Sequence, residues 1–356
     1  MNYSSRLRKV RDSLDELHLD AQLLVNREDI RYLSGFSGDA GLGLVGPNSA
    51  YLFLDFRFLT QADQEVMGFE VKPVDRSLWD FLAAEAKKDK ISRLGFSPAE
   101  LSYEQHRMLE EKAEGIELLA TRSLVTQLRM IKDPEEAEAI RRSGRVLSQN
   151  LDEILPLIKP GMKESEIAAL FEYGLRMKGA DKPGFETIVA SGERSAMPHA
   201  HASPREIRSG EFLKIDGGAQ WNGYHSDITR TVVVGAATSS QEAIHRIVLE
   251  AHDQAIAAIR PGMTGEALDQ VARKVIEEAG YGRYFGHGTG HGVGLSVHEE
   301  PRIGRESHTI LEEGMAFTIE PGIYLPGVGG VRIEDTILLT EKGPEVATTT
   351  TRRMTL

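Results

Sequence analysis

The sequence predicts an α/β domain over residues 1–126 followed by an α+β domain over residues 127–356. Three observations carry this. Apolar residues in the first part alternate between helical spacing and short strand-like runs. A helix-start signal, Asp133-Pro134-Glu135-Glu136, opens the second part. Within the second part, Ile158-Lys159-Pro160-Gly161-Met162 recurs as Ile259-Arg260-Pro261-Gly262-Met263. In each copy a long helix precedes the segment and an amphipathic helix follows it. The recurrence admits two readings. One is a helix–turn–helix solution reached twice; the other is a duplicated α+β half with a site between the copies, where pockets are favoured.

In chain order, Leu7, Val10, Leu14 and Leu17 form an amphipathic stripe, so a helix opens the chain. Ala21 to Val25 is a short apolar strand. Leu42 to Val45 and Tyr51 to Leu54 read as strands around the turn Gly46-Pro47-Asn48. Ser77 to Ala86 and Tyr103 to Ala113 read as helices. The domain boundary falls near residues 126–132. Asp133 suits an N-cap, Pro134 suits the first helical position, and the two acids suit the positive helix end, so a helix runs to about Leu155. Gly41-Leu42-Gly43-Leu44-Val45-Gly46 matches the dinucleotide fingerprint in letters only. Pro47-Asn48-Ser49 and another strand follow it, where a phosphate would need a helix N-terminus.

Composition excludes several classes. The 356 residues carry a net charge of −12, which opposes nonspecific binding to nucleic acid or anionic membrane. There is no cysteine, hence no disulfide framework, zinc finger, thiolate-held iron–sulfur cluster or cysteine nucleophile. No apolar run reaches the length of a membrane span, and the stretch from Met1 to Leu19 lacks the apolar core of a secretory leader. The cytoplasm is the default expectation. A P-loop, a Gly-x-Ser-x-Gly elbow and a His-Glu-x-x-His helix are all absent.

The chemistry concentrates in four places. Leu213 to Asp216 alternates like a strand, Asn222-Gly223 is a hairpin signal, and His225 to Val234 is the returning strand. In that register Asp216 lies opposite Thr229, and Asp216 and Asp227 share a face. Thr318 and Glu320 share a face of one apolar segment; Arg332 and Glu334 share a face of the segment Val331 to Leu339. Acids placed in apolar strands repel one another unless compensated, and two divalent cations would balance four carboxylates. Phe285 to Gly294 sets His287 and His291 among glycines, His298 follows, and Pro198-His199-Ala200-His201 adds two loop histidines.

In this order, Asp216, Asp227, His291, Glu320 and Glu334 resemble the ligand set of the pita-bread metallopeptidases, the family of methionine aminopeptidase, aminopeptidase P and prolidase. The segments Arg31 to Gly38, Asp55-Phe56-Arg57-Phe58 and Met130 to Glu136 resemble the creatinase-type N-terminal domain and the entry to the catalytic domain. The resemblance covers the whole chain. It implies a creatinase-type N-terminal domain, a pita-bread catalytic domain of two similar halves, and two divalent ions, Mn²⁺ first and Co²⁺ or Zn²⁺ as alternatives. It implies that Asp227 and Glu334 touch both ions, Asp216 one, and His291 and Glu320 the other. Glu320 is the expected proton shuttle, His199 and His298 the catalytic-site histidines, and His287, Tyr324 and Arg332 substrate-pocket residues. Gly217 departs from relatives that carry a bulkier residue there. The expected activity is an Xaa-Pro aminopeptidase, with an Xaa-Pro dipeptidase as the alternative and an inactive binding scaffold as the reading from another class. Proline-containing peptides are the expected partners, with a homodimer and no nucleic acid or membrane.

Overall fold

A computed structural model describes residues 1–356, and the chain divides into two compact units, Met1–Arg129 and Met130–Leu356. The first unit opens with α1 (Tyr3–Glu16), which Asn2 caps through its side chain and which buries Leu7, Val10 and Leu14. Leu17 is the exposed C-cap residue and does not join that stripe. There follow β1 (Ala21–Leu24), α2 (Arg27–Ser34), β2 (Leu42–Val45), β3 (Ala50–Asp55), α3 (Leu59–Glu65) and β4 (Glu70–Val74). The unit closes with α4 (Leu78–Lys88), β5 (Arg93–Phe96), α5 (Tyr103–Lys112), β6 (Glu117–Ala120) and α6 (Leu124–Met130). The strands make one six-stranded sheet in the order β4-β3-β2-β1-β5-β6. It is mixed: β1 runs antiparallel to β2 and parallel to β5. The glycine-patterned stretch after Gly41 is β2, and β3 follows it, so no helix N-terminus faces a phosphate there.

The second unit begins with α7 (Pro134–Ile154). Asp133 accepts from the N–H groups of Glu135 and Glu136, and Glu136 accepts from the Asp133 N–H. This capping box is worth about 1 kcal/mol and pins the helix start. Next come α8 (Glu164–Met177), β7 (Lys182–Pro183), β8 (Ile188–Ser191), β9 (Phe212–Trp221), β10 (Tyr224–Val233), α9 (Ser239–Ala258) and α10 (Gly265–Glu278). The chain ends with β11 (Gly290–Gly292), β12 (Glu299–Ile303), β13 (Ala316–Ile319), β14 (Gly322–Leu325), β15 (Gly329–Arg332), β16 (Asp335–Thr340) and β17 (Gly343–Val346). One sheet orders β10-β9-β7 with β8 also on β9; a second orders β12-β11-β13-β16-β17; β14 and β15 form a hairpin. No helix is long and apolar enough to cross a membrane.

The recurring Ile-x-Pro-Gly-Met segment marks a repeated structure. Gly161 donates to Ile207 O and Ile207 donates back to Met162 O; Gly262 donates to Leu311 O and Leu311 donates back to Met263 O. Both glycines have positive φ, 91° and 87°, which a side chain would strain. The correspondence continues past the turn: Ser165 N–H meets Ser203 O, and Glu266 N–H meets Ser307 O. A helix–turn–helix coincidence would not reproduce these distant pairings. Each copy packs its own apolar cluster, α7 and α8 around Leu147, Phe171 and Ile215, α9 and α10 around Val248, Leu268 and Phe317.

The β9–β10 hairpin has the expected register. Trp221 pairs with Tyr224, and Asn222 and Gly223 both have positive φ, which gives the two-residue loop a twist that matches the strands. Asp216 lies opposite Thr229 and no bulge intervenes. The segment Val331 to Leu339 differs from expectation. It is not one strand but two, broken at Ile333: β15 pairs with β14, whereas β16 pairs with β13. Glu334 sits in the break and bridges to Thr229 of β10. The chain changes partners there, yet Arg332 and Glu334 both meet Thr229, whose hydroxyl accepts from Arg332 Nε and donates to Glu334 Oε2.

Candidate active site

A cavity of about 540 Å³ opens in the second unit. Asp216, Asp227, His291, Glu320 and Glu334 all line it, together with His199, His287, His298 and Arg332. Asp227, His291 and Glu334 offer ligand atoms within 4.8 Å of one another. The Nε2 atom of His291 lies 3.7 Å from an oxygen of Asp227 and 3.7 Å from an oxygen of Glu320. Asp216 is drawn to the Arg332 guanidinium. Tyr324 is not on the cavity wall. It stands behind, accepting from Arg332 Nη1 at 2.8 Å and meeting His287 Nε2 at 2.8 Å.

Each side chain is aimed by its backbone and neighbours. Asp227 is fixed by Thr336, whose hydroxyl accepts from the Asp227 N–H and donates to the Asp227 carbonyl. Thr229 donates to Glu334 Oε2 at 2.6 Å. The Nδ1 atom of His291 lies 3.0 Å from the Gly292 carbonyl, which can only accept. The proton therefore sits on Nδ1 and the Nε2 lone pair faces the carboxylates, as a metal ligand requires. The same reasoning puts the proton of His287 on Nδ1, against Gly288 O, so its Nε2 accepts from Tyr324.

The donor set fits divalent cations. Asp216 Oδ1, Asp227 Oδ1 and Glu334 Oε1 are buried and have no hydrogen-bond partner. Such orphaned carboxylate oxygens are costly unless a cation meets them. Burial, then the charges of Asp216 and Glu320, push the Asp227 carboxyl well above its usual range. Burial and the neighbouring acids, Asp227 first, do the same to Glu334. Burial also raises Glu320, against the opposing pull of His287 and Arg332. Of the two guanidinium groups on this cavity, that of Arg332 is the one paired with these carboxylates. Oxygen-rich ligands with a single imidazole suit a hard or borderline ion. Burial and the neighbouring imidazoles of His291 and His199 push His298 down to about 4.

Arg332 is committed to the protein: Nη2 to Asp216, Nη1 to Tyr324 and to Pro198 O, Nε to Thr229. A substrate carboxylate would find its donors engaged, and Glu334 is held by Thr229 instead. Gly217 faces away from the cavity. A Cβ there would come within 2.4 Å of the Phe171 ring, so Phe171 fills the space a bulkier residue would take.

Several residues escaped the sequence reading. Arg302 lines the cavity, sits directly opposite His291 across the β11–β12 pair, is exposed, and makes no side-chain hydrogen bond or ion pair. Phe185 and Glu186 line the wall too, beside His201, one of the two loop histidines expected from the sequence. Asp269 and Arg273 of α10 form a buried pair beneath the glycine-rich loop. Asp269 accepts from the Thr289 N–H and hydroxyl, and Arg273 donates to the carbonyls of Phe285 and His287. Their i, i+4 spacing is a weak sequence signal shared by any solvated helix face.

The model of metallopeptidase family M24 matches residues 138–341, and that of the creatinase/prolidase N-terminal domain matches residues 6–131. The chain is 41% identical to the Xaa-Pro dipeptidase of Pyrococcus furiosus over 350 residues, 98% of this chain and 99% of that one. It resembles the structure of an Xaa-Pro dipeptidase from Bacillus anthracis with a TM-score of 0.96 at 40% identity, each chain covered completely. It also resembles an X-Pro aminopeptidase from Thermotoga maritima with a TM-score of 0.88 at 38% identity, over 96% of this chain and 99% of that one. With a family model spanning most of the second unit and relatives aligned end to end, the chain belongs to metallopeptidase family M24 and carries that family's creatinase/prolidase N-terminal domain.

Proposed function

We propose that the protein is an Xaa-Pro dipeptidase. The observation that carries this is full-length similarity to proteins named Xaa-Pro dipeptidase, at 40% and 41% identity. The cavity supports it. In an Xaa-Pro dipeptide the free carboxylate lies three bonds from the scissile carbonyl carbon, and Arg302 stands one cross-strand step from His291 with its guanidinium unengaged. An uncommitted cation at that reach suits a terminal carboxylate. In a longer peptide the same carbon is a neutral amide. The aminopeptidase expected from the sequence becomes the second reading, favoured by the Thermotoga maritima relative. Turnover of an Xaa-Pro dipeptide against the matching Xaa-Pro-Yaa tripeptide separates the two.

In this reading Asp216, Asp227, His291, Glu320 and Glu334 would hold two divalent ions, Mn²⁺ being favoured by the ligand set. When bound, such ions acidify a water and polarise the scissile carbonyl. Glu320 takes the proton of the attacking water and delivers it to the proline nitrogen, which must leave as an amine. His298 and His199 donate to the developing oxyanion. With His298 held down at about 4, its imidazole is neutral at physiological pH and donates one N–H rather than repelling the cations. His287, Tyr324 and Arg332 form a relay that holds Asp216 and the pocket wall. The family resemblance also supports a homodimer, which light scattering checks.

A further inference from the structure

We propose that Lys214 is a positioning residue for His199, holding the substrate-side imidazole through its backbone. This rests on the role given to His199 above. Lys214 lies on β9 two residues before Asp216 and so shares its face. Its side chain is fully buried, at 0% exposure. An apolar residue would fill a buried strand position at less cost, because a buried amino group must find hydrogen-bond partners there. The partners lie in one place. Lys214 Nζ donates to Met197 O at 2.6 Å and to Pro198 O at 3.1 Å. Its Nζ also faces the Tyr324 ring, 5.4 Å from the centroid.

The two carbonyls belong to the two peptide planes that precede His199. The Pro198 carbonyl lies in the same rigid plane as the His199 N–H, so fixing that oxygen fixes the entry into His199. Arg332 Nη1 donates to the same Pro198 oxygen at 3.3 Å. His199 itself is exposed, and its imidazole makes no hydrogen bond to the protein. No hydrogen bond to the ring aims it at the cavity, so its direction depends on its backbone. The role of counter-charge to Asp216 is already filled, since Arg332 binds that carboxylate directly. The Lys214 amino group spends its hydrogen bonds on the loop.

The test is a double-mutant cycle of Lys214→Met and His199→Ala. It measures kcat and KM for an Xaa-Pro dipeptide with Mn²⁺, and Mn²⁺ affinity by calorimetry on the metal-free proteins. Lys214→Met is expected to lower kcat/KM about tenfold in the wild-type background and less than about twofold in the His199→Ala background, because coupled residues are non-additive. Mn²⁺ affinity is expected to stay unchanged, and Lys214→Gln, whose amide still donates, is expected to recover part of the loss. If Lys214→Met does not fold, Lys214→Gln carries the cycle. Additive losses, or a loss of Mn²⁺ affinity, would overturn the inference and leave the role of His199 standing. A His199→Ala protein with unchanged turnover would remove both.

Discussion

Replacing Arg302 with Met tests how the site chooses its substrate. The guanidinium faces the cavity opposite His291 and has no protein partner, so removing it leaves nothing unpaired in the fold. A hydrogen bond to a charged group is worth about 1.5–3 kcal/mol. Arg302 is exposed, and solvent screening puts the expected value at the lower end, about 1.5 kcal/mol. That corresponds to roughly a tenfold fall in kcat/KM for an Xaa-Pro dipeptide. The Xaa-Pro-Yaa tripeptide carries an amide at the same position and should change by less than about twofold. Parallel assays of proline release from the dipeptide and of Xaa release from the tripeptide read the ratio. The dipeptide preference of the native protein should also weaken with added salt, since the contact is solvent-exposed. Equal losses on both substrates, or no loss on the dipeptide, would refute the assignment of Arg302 as the carboxylate contact.

Three further outcomes are expected. Asp227→Ala removes a central carboxylate of the cavity; bound Mn²⁺, measured by elemental analysis, should fall and dipeptide turnover should vanish, as should turnover of the native protein after chelation. Arg273→Met leaves Asp269 buried without its cation; breaking such a pair costs about 3–5 kcal/mol, read as a lower denaturant midpoint, and Mn²⁺ affinity should fall as the glycine-rich loop loosens. Burial, then the charge of Asp29, raises Glu100 to about 7 from the ordinary 4.5. A carboxyl raised by folding contributes stability that is full below 4.5 and lost as pH rises through about 7. The native first unit should therefore lose stability between pH 5 and pH 8 relative to Glu100→Gln. Melting followed through Trp79 fluorescence in a Trp221→Phe background reports it, and parallel pH profiles would count against the argument.

Much of this protein was legible in its residues because the signals are local. Periodicity announced α1 and placed α4 and α5 to within a residue or two. Asp133-Pro134 marked the start of α7, and Asn222-Gly223 set a register in which Asp216 meets Thr229. The recurring Pro-Gly segment announced two similar halves, since a positive-φ glycine after proline constrains only its own turn. Short elements were less visible: α2 is eight residues, half of them charged, and β5 and β6 are four-residue strands.

What folding alone brought about is long-range pairing. Arg302 meets His291 only because β12 lies beside β11, and Arg332 binds Asp216 rather than Glu334 only because the chain breaks at Ile333 to change sheets. Lys214 reaches the Met197 and Pro198 carbonyls across a buried gap that no spacing encodes. Residue type and period carry the strength and direction of a local preference. Which strand adjoins which is decided by the joint burial of many apolar faces, and the partners of a buried charge follow from that packing.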